Sequence, residues 1–280
     1  MDHERLRVLL AQTTPWMEVG MGVGHREANL KRAAGLILEF LQAGGTPDLI
    51  VFPEFAFDGP GSALLDPGVV VGESAAAIVE GMTPVAVEAG ALIIAPAYVA
   101  DGNKWYNACL AIGPDGVQGE YRKIHPYPPE QSVVRRGYDL SVVSAGRFTV
   151  GLQICYDLAF PEPARALALR GADVLVYPTM ASDWLMQRFR VLAAARAIEN
   201  QVFVVVVNAI GVHPTSGDVL GGGSLVAFPN GATQEMGSEE ALALYELDGS
   251  LLAEERVRLD LLADRAPEVY AGFDRGRSRC

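Results

Sequence analysis

The chain has 280 residues, half of them hydrophobic and a fifth charged, enough apolar surface to offset chain entropy and to exclude a disordered polymer. Its formal net charge of −12 at pH 7, with no block of Lys and Arg, repels nucleic acid and anionic membrane and suits a small neutral or cationic partner. The amino terminus, MDHERLRVLLAQTTP, has acidic residues ahead of a very short apolar run, and nothing reaches the roughly 18 apolar residues of a membrane span, so the expected location is the cytoplasm.

In chain order, short apolar runs rich in β-branched residues predict strands at LRVLLAQ, DLIVFPE, ALIIAPAYV, NACLAIG, FTVGLQIC, DVLVYPT, QVFVVVVNAIG and LVAF. Runs such as LIVF and VFVVVV are apolar at every position, whereas a strand with one wet face alternates, so these strands are read as covered on both faces. Helical spacing falls between them at 27–43, 74–89, 161–170 and 184–200. The third helix opens at PEPARALALRG, where Pro161 suits a first turn, Glu162 complements the positive helix end and Gly171 provides a stop. Strands alternating with helices give an α/β class, and the absence of repeats or a Gly/Ser linker predicts one domain over 1–280. GDVLGGGS is followed by no Lys-Ser/Thr pair and reads as a tight turn using glycine at positive φ, not as a phosphate loop. Residues 254–280 are more polar and read as a C-terminal extension that frays or docks on a partner subunit.

Three cysteines, Cys109, Cys155 and Cys280, and four scattered histidines match neither a disulfide framework nor a metal pattern, so no metal is expected. Cys109 reads as core and Cys280 as an exposed, unused thiol. Cys155 differs, because GLQICYDLAFPEPARALALRG runs a buried strand into it and then turns through Tyr156 to Phe160 into a helix. That puts a thiol at the carboxyl end of a core strand, where α/β sheets place ligands, beside backbone N–H groups that can hold an oxyanion. By its burial habit alone a free cysteine is as well explained as structural. In DLIVFPEFAFDG a carboxylate, Glu54, directly follows a core strand, a costly position unless the group is solvated or used. In GEYRKIHPYPPEQ, Lys123 can orient a thiolate or carboxylate, with Arg122, His125 and Glu130 nearby in a proline-rich loop.

Taken singly, each segment has an ordinary structural explanation. Together, PEFAFDG, YRKIH and QICYDLAFPE resemble the nitrilase superfamily in order and context, a likeness extending through RAIENQVFVVVVNAIG and GGGSLVAFPNG. The resemblance implies a four-layer αββα sandwich and a homodimer or larger homo-oligomer joined through the helices beginning near Pro161 and Trp184. It implies a Glu–Lys–Cys set at Glu54, Lys123 and Cys155, with a second glutamate best matched by Glu130, where KIHPYPPEQ departs from the commoner wording. The expected reaction is hydrolysis of a small carboxamide through a thioester on Cys155, with the Tyr156 N–H and Lys123 at the oxyanion and no cofactor required. Tyr-Asp after Cys155 resembles amidases, where nitrilases usually carry Trp-Glu, and N-carbamoyl amides and nitriles are the alternative substrates. Candidate pocket residues are Phe57, Asp58, Tyr127, Phe160 and Met180 through Trp184, with Asp183 and Trp184 foremost. Two other readings compete: a Cys155–His125 dyad, and a non-catalytic scaffold that keeps the fold.

Overall fold

A computed structural model of the protein describes residues 4–15, 24–59, 74–213 and 216–270. In chain order the elements are β1 (Arg5–Gln12), α1 (Gly24–Gln42), β2 (Leu49–Val51), α2 (Ser74–Ala89), β3 (Leu92–Asp101), β4 (Lys104–Gly113), β5 (Gly116–Arg122), β6 (Ser141–Ala145), β7 (Phe148–Leu152), α3 (Pro161–Leu169), β8 (Val174–Thr179), α4 (Asp183–Asn200), β9 (Phe203–Asn208), β10 (Ile210–Val212), β11 (Val219–Gly221), β12 (Leu225–Ala227), β13 (Thr233–Glu235), β14 (Ala241–Asp248), α5 (Ser250–Arg258) and α6 (Pro267–Tyr270). Short 3₁₀ turns occupy Pro128–Ser132 and Cys155–Ala159.

The strands form two six-stranded sheets, ordered β14-β1-β2-β3-β4-β5 and β13-β12-β9-β8-β7-β6. Each is parallel in its middle, at β1–β2–β3 and β7–β8–β9, and antiparallel towards its edges. Side chains alternate along a strand, and β1 shows what that does. Leu6, Val8 and Leu10 join the core between the sheets, while Leu9 and Ala11 pack outward with Leu30 and Ile37 of α1 and Ile78 and Met82 of α2. On the far side, Ala164 and Leu167 of α3 and Phe189 and Ala193 of α4 cover the second sheet. The result is the four-layer αββα sandwich, and the continuous apolar runs are explained by a sheet on one side and helices on the other.

Six strands escape the hydrophobic pattern: β5, β6, β10, β11, β13 and β14. β5 and β14 end the first sheet, and β6 and β13 end the second, so much of their surface meets water. The glycine turn behaves as read, since Gly222 and Gly223 have φ of +66° and +67°. The described part of the tail packs on its own chain. Gln201 Nε2 donates to the Glu255 carbonyl at 2.9 Å and to that of Leu259, Gln201 Oε1 accepts from Leu261 N–H at 3.1 Å, and Leu252 is buried. One buried amide side chain thus satisfies three backbone groups of the tail, which gives it an anchor without a partner subunit. Cys280 and the other residues after 270 lie outside the described residues. Among the described residues no helix is long and apolar enough to cross a membrane.

Candidate active site

β2 ends in Val51, and the chain continues through Phe52 and Pro53 to Glu54, whose backbone N–H reaches across to the Thr179 carbonyl at the end of β8 at 3.2 Å. The carboxyl-side ends of a strand from each sheet therefore meet at one point, the region where α/β folds collect their ligands. β7 arrives beside β8 and leads through Gln153 and Ile154 into the 3₁₀ turn that begins at Cys155. Cys155 has φ of +45° and Phe55, directly after Glu54, has φ of +60°. Non-glycine residues in this region cost on the order of 1 kcal/mol or more, strain that tends to gather at functional sites.

The Cys155 turn is held by one buried carboxylate. Asp157 Oδ2 accepts from Ile154 N–H at 3.0 Å and from the Tyr121 hydroxyl at 2.8 Å, and its Oδ1 accepts from His125 N–H at 2.9 Å. The same Oδ1 lies 2.9 Å from His125 Nδ1. Asp157 thereby ties the turn carrying the thiol to β5 and to the loop after it, which carries Lys123.

Lys123 is almost wholly buried, and its Nζ donates to Glu54 Oε1 and Glu130 Oε2, each at 2.7 Å. Glu130 is brought back by the Pro128–Ser132 turn, where its Oε2 also accepts from Tyr127 N–H at 2.6 Å. A residue that the hydrophobic pattern hid completes the arrangement. Asn107, on β4, spends both amide hydrogens here, on Glu54 Oε1 at 2.7 Å and Glu130 Oε1 at 2.8 Å. Cys155 lines the same cavity as Glu54 and Met180, close enough for the Glu54 carboxylate and the Met180 backbone to act on the thiol's proton affinity.

Burial dominates the electrostatics. It raises the Glu54 carboxyl above its ordinary range, with Lys123 opposing and Glu130 reinforcing. Burial, and then the negative charge of Glu54, push the Cys155 thiol well above its usual value. For Lys123, burial works to lower the ammonium, and Glu130 and Glu54 overcome it and hold the group well above its usual value. The site thus combines a protonated thiol, a fixed cation and a carboxylate whose proton affinity has been lifted towards that of a working base. Lys123 has three N–H donors, and two are engaged by carboxylates, which leaves one for a ligand oxygen.

Glu54, Lys123, Glu130 and Cys155 line one cavity of about 250 Å³ together with Tyr127, Met180, Ser182 and Trp184. Its remaining walls come from Phe55 and Pro129, beside Glu54 and Glu130 in sequence, and from places the motifs did not indicate: Tyr98, Val133, Val134, Leu185, Leu220 and, after β10, His213, Ser216 and Asp218. Five expected liners are elsewhere, one of them Ala181, which is buried in the core. Phe57 is turned by the bend after Glu54 into the core under α1 and α2, its ring 5.1 Å from that of Phe52. Asp58, next to it, is buried in an ion pair with Arg26 at 2.5 Å. Phe160 stacks on His125 at 3.8 Å behind the Cys155 turn. Asp183, exposed in the first turn of α4, sits against Gly221, where an added Cβ would meet its Oδ1 at 2.1 Å. The Tyr156 side chain packs edge-on to Tyr127 and Phe160, each 5.3 Å away, and its backbone N–H belongs to the first turn of the 3₁₀ segment, where such groups have no helical partner. Cys109 is core, as read from the sequence. His125 is not among the residues lining the cavity, and among the described residues no cluster of three His, Cys, Asp or Glu side chains could hold a metal.

Comparison with known proteins places these features in context. The family model described as carbon-nitrogen hydrolase matches residues 8–256. The chain is 34% identical over 255 residues to a protein of Pyrococcus abyssi named nitrilase, covering 87% of this chain and 93% of that one. It is 32% identical over 252 residues to an (R)-stereoselective amidase of a Pseudomonas species, covering 86% and 87%. Among solved structures, a variant of the amidase from Nesterenkonia sp. AN1, with the acetamide moiety of fluoroacetamide covalently added at its active-site cysteine, has a TM-score of 0.78 at 25% identity over 96% of both chains.

Proposed function

This chain belongs to the carbon-nitrogen hydrolase family and is an enzyme of that class, and from that premise we propose that it hydrolyses a small carboxamide to a carboxylic acid and ammonia through a thioester on Cys155. The observation that carries the reading is one cavity lined by the Cys155 thiol, the Lys123 ammonium and a Glu54 carboxyl that lies 2.7 Å from that ammonium and whose proton affinity is raised by burial.

A thiol attacks only as thiolate, and here the thiol is held protonated until substrate arrives. Glu54 takes the proton from Cys155 as the sulfur adds to the amide carbon. The oxygen of the resulting tetrahedral adduct takes its negative charge between the third Lys123 donor and the Tyr156 N–H. Glu54 returns the proton to the nitrogen, the C–N bond breaks, and ammonia leaves a thioester. Water then loses a proton to Glu54 and adds to the thioester carbonyl through the same oxyanion contacts. The C–S bond breaks, the carboxylic acid departs, and the Cys155 sulfur recovers its proton from Glu54. Removing one donor to such an oxyanion typically costs on the order of a hundredfold in rate. Glu130 and Asn107 move no proton and hold Lys123 and Glu54 in place.

The test is ammonia release together with intact mass on a panel of amides, N-carbamoyl compounds and nitriles, with Cys155→Ala alongside. A transient acyl mass on the wild type that is absent from the variant supports the thioester route. Ammonia release undiminished in Cys155→Ala refutes it. Nitriles are the second reading, favoured by the identity to the Pyrococcus nitrilase, and turnover of nitriles with amides untouched would transfer the assignment to them. Retained activity in Glu54→Ala with loss in His125→Ala would install the dyad instead.

A further inference from the structure

We propose that the amide accepted here carries no carboxylate on its acyl group: the cavity takes an apolar acyl chain that ends neutral or cationic beside Asp218. The inference rests on the amidase reading and specifies its substrate class. Beyond Cys155 the walls are mainly apolar, from Phe55, Val133, Val134, Leu185 and Leu220, with the neutral Tyr98 and Ser182 among them. Among the described residues, Lys123 is the one Lys or Arg lining the cavity, and two carboxylates already engage it at 2.7 Å each. Arg188 lies over the Trp184 ring, 5.0 Å from its centroid, and is not a lining group.

The remaining charge at the cavity is negative. Asp218 lines it with Ser216, whose hydroxyl donates to Asp218 Oδ2 at 2.9 Å. His213, also in the wall, is pulled below its usual value by burial, with Asp218 opposing, and so brings no cation at neutral pH. Residues 214 and 215, between them in sequence, are Pro and Thr. A substrate carboxylate here would lose water against the apolar wall or face Asp218, which is exposed at the cavity's edge, and both are unfavourable. A methyl end loses nothing there, and an ammonium end gains. At about 250 Å³ the cavity lies below the usual range for drug-sized ligands, which fits a short chain.

The experiment compares pentanamide, 4-aminobutanamide and glutaramate, which share one chain and end in a methyl, an ammonium or a carboxylate. The expected result is ammonia release from the first two with kcat/KM for glutaramate lower by about tenfold or more. Asp218→Lys is expected to raise the glutaramate-to-pentanamide ratio about threefold or more and to lower that for 4-aminobutanamide. Glutaramate turned over as well as pentanamide, or ratios unmoved by Asp218→Lys, overturns the inference and leaves the amidase reading intact. If no amide releases ammonia, the amidase reading is what fails. The ranking is then read as protection of Cys155 from a small neutral alkylating agent, where glutaramate protecting as well as pentanamide again overturns it.

Discussion

Asn107 offers the sharpest test of how the site is held. It is buried in β4 and donates to both carboxylates that flank Lys123, at 2.7 and 2.8 Å. Asn107→Leu keeps the volume and removes both donors. A hydrogen bond to a charged group contributes about 1.5–3 kcal/mol, so losing the pair costs roughly 3–6 kcal/mol of stability. The bond to Glu54 favours its ionised form, so without it the carboxyl holds its proton more tightly and the base is disarmed at a higher pH. The acid limb of kcat/KM must therefore move upward. At a pH below the shifted limb, one such bond corresponds to roughly a 10- to 100-fold loss in kcat/KM. Ammonia-release kinetics across pH, paired with urea unfolding, measure both effects. A variant that loses stability yet keeps its acid limb in place and its kcat/KM within about threefold would refute the reasoning, reducing Asn107 to a scaffold residue.

Further outcomes follow from groups already placed. Because burial raises the Glu54 carboxyl, its contribution to stability is full below the unfolded-state value and is lost as pH rises through the folded one, so Glu54→Gln should be inactive yet more stable at neutral pH, a gain that shrinks on acidification. Urea unfolding over pH checks this, and a variant less stable at neutral pH contradicts it. Asp58→Ala breaks the buried ion pair with Arg26 and should cost about 3–5 kcal/mol in the same assay, with a loss below about 1 kcal/mol counting against the pair. Asp157→Ala removes the acceptor of four contacts around the Cys155 turn and should cost on the order of 4 kcal/mol and slow alkylation chemistry at Cys155; unchanged activity and melting would dismiss it as the tie between turn and loop. We propose a self-association face on α3 and α4, where Leu169, Val191 and Ile198 are exposed, so Val191→Glu with Ile198→Glu should lower the mass measured by light scattering, and an unchanged mass would exclude that face.

What the sequence disclosed depended on how each residue's neighbours advertised it. Glu54 and Cys155 stand where apolar runs break off, and a carboxylate or thiol at the end of a core strand is conspicuous. Lys123 and Glu130 needed the motif order, since a proline-rich loop with charges looks solvated. Asn107 was legible only as one letter of the strand NACLAIG, and nothing in the alternation marks a buried amide within a strand. Phe57 was misplaced because proximity to Glu54 in sequence does not survive a tight bend: Phe55 faces the cavity and Phe57 the opposite core. His213, Ser216 and Asp218 come from a hairpin remote in sequence, so their meeting with Cys155 is a property of the topology alone. The edge strands were missed for a related reason, since a strand half in water carries no continuous apolar signature.

The bond from the Glu54 amide to the Thr179 carbonyl spans the two sheets at their most sensitive point. Its proton can exchange with solvent only when β2 and β8 part, so its deuterium uptake times how often the sandwich opens at this end. Ligand occupancy that grips both sheets should slow that clock, making one backbone amide a direct readout of engagement, without chemistry and without a label.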